Sequence, residues 1–136
     1  MDISKYADYF HDGGLYDIKQ RNDKIELFMC SAEMDPEDLQ DDIPLGQGDC
    51  ITGILHLEGI RKITRNKHPF IGELKMEHQS GSILDFEIEN NIVELGISWK
   101  NFRPKYQSKG FSTIVIEADK IYWENKPDLV DPYWYG

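Results

Sequence analysis

The sequence predicts a mainly β fold, an antiparallel sandwich or partly open barrel with a short N-terminal helix. Three observations carry that expectation. Apolar and polar residues alternate over several separate runs, which sends one face of each run into a core and the other into solvent. The runs are joined by Asn-, Asp- and Gly-bearing pairs suited to tight hairpins. The chain has 136 residues, 40% hydrophobic and 29% charged. That is enough for one domain, spanning residues 1–136, to bury a core without disulfides or metals.

In chain order, Ile3, Tyr6, Ala7 and Phe10 fall on one helical face, so one or two turns are expected over residues 2–10, capped by Asp2 or Ser4. A helix this short depends on docking its apolar face, and Gly13-Gly14 ends it. Residues 15–20 and 24–31 form a first hairpin, with Ile25, Leu27 and Met29 alternating with Glu26, Phe28 and Cys30 across an Arg21-Asn22-Asp23 turn. Residues 33–49 break the pattern: Glu33, Asp35, Glu37, Asp38, Asp41, Asp42 and Asp49 crowd among Pro36, Pro44, Gly46 and Gly48. Asp35-Pro36 has the chemistry of a helix start, and the remainder is expected to be a mobile acidic connection. Residues 51–58 return to strand, Gly59 marks a bulge or bend, residues 60–64 extend it, and Asn66 to Pro69 is a loop.

The clearest alternation follows. Gly72, Leu74 and Met76 alternate with Glu73, Lys75 and Glu77; Leu84, Phe86 and Ile88 with Asp85, Glu87 and Glu89; Val93, Leu95, Ile97 and Trp99 with Glu94, Gly96, Ser98 and Lys100. With turns at Gln79-Ser80-Gly81 and Asn90-Asn91, these predict a three-stranded antiparallel meander. Residues 101–110 form a basic, aromatic loop, residues 111–124 a further strand, and the tail carries Tyr133, Trp134 and Tyr135. The expected core includes Leu84, Phe86, Ile88, Val93, Leu95, Ile97, Ile114 and Ile116.

The formal charge of −10 and pI near 4.7 argue against affinity for nucleic acid or an anionic membrane. They make a basic protein the electrostatic complement, although solubility alone also accounts for an acidic surface. Cys30 and Cys50 are too few for a disulfide framework and read as buried reduced thiols. The first residues lack a secretion signal, and no apolar run approaches membrane-spanning length, so a cytoplasmic protein is expected.

No short motif assigns chemistry. His11-Asp12 beside Gly13-Gly14 suits acid–base work if the carboxylate orients the imidazole; it equally suits backbone hydrogen bonding where the first strand starts. A nucleophilic site needs Cys30 or Cys50 beside His11, His56 or His78, and no local signature surrounds either cysteine. The acidic run lacks the ligand offsets of a calcium loop, and no Cys or His pair has zinc spacing. There is no phosphate-binding glycine loop and no nucleophile elbow. No catalytic residue, cofactor or metal is therefore assigned. The carboxylates do coincide with the longest loop, where binding functions are usually placed.

Phe10-His11-Asp12-Gly13, followed by Leu15, Asp17 and Ile18, resembles a loose group of small β-rich bacterial proteins in which a Phe-His-Asp segment leads into the first hairpin. Some belong to polymorphic toxin systems as immunity proteins that bind and block a toxin domain. The resemblance covers the first hairpin and the meander layout and implies a non-catalytic binding protein. The resemblance supplies no interface residues; the acidic loop and the aromatic tail themselves place the expected interface at Glu37, Asp38, Asp41 and Asp42, with Tyr133, Trp134 and Tyr135 as aromatic anchors. The alternatives are a small-molecule binder or enzyme with a pocket near His11, Asp12 and His56, and a subunit of an oligomer.

Overall fold

The computed structural model describes residues 1–101 and 107–129; of residues 107–109 only the backbone is described. A 3₁₀ helix (Ile3–Phe10) precedes β1 (Gly14–Arg21) and β2 (Lys24–Cys30). A single 3₁₀ turn (Pro36–Asp38) leads to β3 (Thr52–Arg65) and a two-residue β4 (His68–Pro69). Then come β5 (Ser80–Glu89), β6 (Ile92–Asn101) and β7 (Gln107–Asn125).

The expected antiparallel, mainly β architecture is present. β1 pairs with β2, β2 with β3, β3 with β7, β7 with β6, β6 with β5, and β5 returns to β1, every pairing antiparallel. The strands thus close a six-stranded ring. Its thinnest seam is β1–β5, only Gly14 opposite Ser82 and Leu15 opposite Gly81. Asp12 and Ile83 extend that seam: the Asp12 amide donates to the Ile83 carbonyl (2.8 Å), and the Ile83 amide to Gly13 (2.9 Å). On its other side the Leu74 amide donates to Gln20 Oε1 (2.7 Å).

Inward-facing residues fill the ring. Leu15, Leu27, Met29, Leu55, Leu57, Ile83, Leu95, Ile97, Trp99 and Ile116 are all buried. The helix contributes Phe10, which meets Phe86 and Trp123 edge-on at 5.0 and 5.7 Å. A polar chain enters this interior: Trp99 Nε1 donates to Ser112 Oγ (2.9 Å), and that hydroxyl donates to Glu77 Oε2 (2.7 Å). Each buried donor is thereby satisfied.

Gly59 bends β3, as its position in the alternation predicts. It has φ +69, and a Cβ there would lie 2.5 Å from Asp119 Oδ2 on β7, so an L side chain meets both strain and collision.

Three expectations are corrected. Residues 72–77 form no strand: Leu74 is buried and Met76 packs on the core, but among the described residues no strand pairs with their backbone, so alternating burial here reflects a plugging segment. Leu84 is exposed, because a bulge between Ile83 and Asp85 shifts the parity of β5 and makes Ile83 the inward residue. Ile88 is half-buried, while the other six expected core residues are buried. Residues 33–49 are a docked segment and not a loose connection: Met34 is buried, Leu39 and Leu45 pack on the core, and the Met34 amide donates to the Asp49 carbonyl.

Candidate functional site

The acidic segment owes its shape to the helix beneath it. In a 3₁₀ helix residues i and i+3 eclipse, so Ile3, Tyr6 and Tyr9 align. Ile3 buries its side chain, and the two tyrosines reach the segment. The Tyr6 hydroxyl donates to Asp41 Oδ2 (2.6 Å) and accepts from the amides of Gln40 (3.0 Å) and Asp41 (3.2 Å). Tyr9 makes a longer bond to Asp38 Oδ2 (3.4 Å). Asp35 caps the 3₁₀ turn by accepting from the Glu37 amide (3.0 Å), and Asn125 Nδ2 donates to the Pro44 carbonyl (2.9 Å). Burial, then the Asp41 carboxylate, push the Tyr6 hydroxyl above the ordinary tyrosine pKa, so it remains a neutral donor.

Carboxylates are consequently displayed on a held backbone. Glu37, Asp38 and Asp42 are exposed, and Asp41 is half-buried against Tyr6. Residues 25–60 contain no Lys or Arg, and among the described residues none of the seven acidic side chains of residues 33–49 forms an ion pair. Tyr133, Trp134 and Tyr135 lie outside the described residues.

The remaining candidates lie apart. His11 is exposed; its Nδ1 donates to the Leu84 carbonyl (2.5 Å), and Nε2 lies 3.7 Å from Asp12 Oδ2. The backbone bond first, and the Asp12 carboxylate second, raise the His11 pKa. Asp12 has φ +68. His56 sits on the outer face of β3, two ring positions from β1, with Nε2 2.8 Å from Glu124 Oε1. Its ring stacks on Tyr122 (4.8 Å, 8°). Tyr122 in turn donates to Glu58 (2.8 Å), a bond that lowers the Glu58 pKa and raises that of Tyr122. No contact joins His56 to His11 or Asp12 among the described residues, and the ring interior between them is occupied by core side chains.

Cys50 is a half-buried thiol with its pKa pushed up to about 11, chiefly by desolvation, which opposes the thiolate a nucleophile needs. Among the described residues no three His, Cys, Asp or Glu side chains are placed to hold a metal ion, and no helix is long and apolar enough to cross a membrane.

No protein-family model matches this chain. Nor is any curated protein or solved structure significantly similar to it.

A second acidic surface escaped the sequence reading. On the outer face of β5 and β6, Glu87 stands directly opposite Glu94, and Glu89 opposite Ile92. These residues and Asn90 line a shallow depression. The signal was available: the two-residue Asn90-Asn91 turn sets the register, and counting back from it pairs Glu87 with Glu94. Tyr6 and Tyr9 were legible as a spacing of three but not as anchors, because their partners lie about thirty residues away.

Proposed function

We propose that this protein is a non-catalytic binding module, immunity-like in type, that takes a basic protein partner on its acidic end. The observation that carries the reading is the Tyr6 hydroxyl, whose three hydrogen bonds hold residues 40 and 41 in place. Carboxylates on a held backbone lose little conformational freedom on association, so their charge is spent on attraction and not on ordering. None of these carboxylates forms an ion pair among the described residues, which supports the same reading, since a partner's cations need displace no internal cation. Glu37, Asp38, Asp41 and Asp42 form the contact, with Tyr133, Trp134 and Tyr135 as further anchors. The acidic composition and the lack of a Cys30–Cys50 bridge accord with a cytoplasmic location, and the pairing that runs unbroken round all six strands, the β1–β5 seam included, favours a closed barrel over a two-sheet sandwich.

Affinity capture at low and moderate salt tests this, with the wild-type chain and an E37Q/D38N/D42N chain as baits. One basic protein held by the wild-type bait, released as salt rises and missed by the variant, is the expected result. Equal capture by both baits removes the acidic-end interface.

A further inference from the structure

Charge is sorted along this barrel. Residues 1–12 and 33–49, which close one end, contain ten carboxylates and a single base, Lys5. Residues 59–79 contain five Lys or Arg against Glu73 and Glu77, and residues 100–110 contain four and no acid. The fold brings residues 59–79 to the opposite end, together with Lys100 and Asn101 at the close of β6. The Asn66 amide donates to the Thr113 carbonyl, Thr113 returns a bond to Asn66 Oδ1 (both 2.8 Å), and the Gln79 amide donates to Asn101 Oδ1 (3.1 Å). β3 runs from one end to the other, from Thr52 to Arg65, about 40 Å along the strand. Screening acts over about 10 Å at 0.1 M salt, so each end presents its own charge despite the net −10.

The basic end also exposes apolar surface. Ile71 is 92% exposed and Phe111 67%. Arg61, Arg65 and Lys75 have acidic neighbours in Asp119, Glu77 and Glu73, but Lys62 and Lys67 form no ion pair among the described residues. Lys67 lies in a turn whose two residues both have positive φ, Asn66 at 51° and Lys67 at 69°. That turn is tied to β7 by the two Thr113 bonds, so the cation is presented on a held tip.

We propose that this basic end is a docking surface for a second copy of the chain, which offers its acidic end. The inference rests on the acidic end being a binding surface and names one basic surface that it meets. An extended polyanion fits less well: beyond Phe111 the outer faces of β5, β6 and β7 carry Glu87, Glu94 and Glu117, which repel a strand or sheet of phosphates. A protein end of limited area is attracted without reaching them. The contact joins unlike surfaces, so it is heterologous and builds rings or filaments instead of a two-fold dimer. Whole-molecule repulsion opposes it at very low salt, and screening of the contact opposes it at high salt. Association therefore passes through a maximum between the two.

Sedimentation velocity on the full chain and two charge-reversed variants tests this. K62E/K67E alters only exposed basic-end residues. E37K/D42K alters the acidic end without touching the carboxylates bound by Tyr6 and Tyr9. The wild-type chain is expected to associate with rising concentration at intermediate salt, each variant alone at least tenfold more weakly. An equimolar mixture of the two is expected to form a complex that stops at two chains, because one intact acidic end meets one intact basic end. A wild-type chain that stays monomeric at all salts, or a mixture that does not associate, overturns the proposal. If wild type still captures a foreign basic protein that E37K/D42K misses, the self-contact alone falls; if it does not, the acidic-end reading falls with it.

Discussion

Replacing Tyr6 by Phe removes one oxygen atom and tests whether the acidic end is held or merely adjacent. The ring stays buried and only the hydroxyl is lost. That hydroxyl takes part in three hydrogen bonds: one to the Asp41 carboxylate and two from the amides of Gln40 and Asp41. Hydrogen bonds to charged groups are worth about 1.5–3 kcal/mol net, neutral ones about 1. The full sum is not realised, since the segment lifts and rehydrates once that costs less than leaving amides unsatisfied. About 2 kcal/mol is the expected loss. With a urea m-value near 2 kcal/mol/M, typical of a chain this size, the midpoint falls by about 1 M. Amide exchange at Gln40 and Asp41 accelerates, by about thirtyfold if release of the segment is the protecting step. A midpoint within 0.2 M of wild type together with unchanged exchange at both amides would refute the anchoring. Alkaline titration adds a sign. Because the native Tyr6 pKa is raised, its contribution is complete below the ordinary tyrosine value near 10 and disappears as pH rises through the native value. Tyr9 and Tyr122 shift the same way, so the gap between wild type and variant, which narrows above pH 10, is the quantity to follow.

Other perturbations follow from particular contacts. Gly59→Ala places a Cβ on Asp119 at positive φ and is expected to lower stability by about 2 kcal/mol or more, read as a shift in thermal midpoint. Ser112→Ala leaves the Trp99 indole N–H without its acceptor inside the ring; a cost of about 1–3 kcal/mol and altered Trp99 fluorescence are expected. The Cys50 thiol, pushed up to about 11, holds about two-hundredfold less thiolate at pH 8 than an ordinary cysteine near 8.5, so its alkylation is correspondingly slow. Its neutral form contributes stability that is intact below about pH 8.5 and lost as pH rises toward 11. Glu94→Lys replaces a like-charge cross-strand pair with Glu87 by an opposite-charge one, and a gain of about 0.5 kcal/mol is expected in a urea melt.

How much of this was legible depended on whether the deciding interaction was local. Val93, Leu95, Ile97 and Trp99 carry their burial in their own alternation, and the Asn90-Asn91 turn sets the register to β5, so that hairpin could be written from sequence. Leu84 could not. Leu84, Phe86 and Ile88 alternate without a flaw, and the bulge that hands the inward position to Ile83 sits where β5 is also bonded to Asp12 and Gly13. Those residues lie some seventy positions earlier. Residues 72–77 failed for a related reason: alternation reports which side chains find a core, not whether a neighbouring strand is present to bond their backbone. Among site residues, the acidity of residues 33–49 was plain, but their docking was not, because Pro and Gly density reads as looseness when the tyrosines below are unseen. His11, Asp12 and His56 were chosen by residue type, and type says nothing about which strand of a ring each will occupy.

The charge pattern also bears on why the carboxylates stand where they do. Exposed charges on β proteins often serve to guard sheet edges against pairing with other chains. Here the ring is closed, and its thinnest seam, β1–β5, is flanked by residues 12–13 and by Leu74, so edge protection asks little of the acidic groups. Solubility does not explain their placement either, since it is satisfied by mixed signs. The chain has 15 Lys and Arg and could have interleaved them. Instead none falls between residues 25 and 60, and Glu87 faces Glu94 at some cost in stability. Charges held in one sign without ion pairs among the described residues, on a backbone pinned by Tyr6, are poorly arranged for folding and well arranged for meeting the opposite sign. That asymmetry, more than the size of the net charge, is what supports the proposed association over a purely solubilising role.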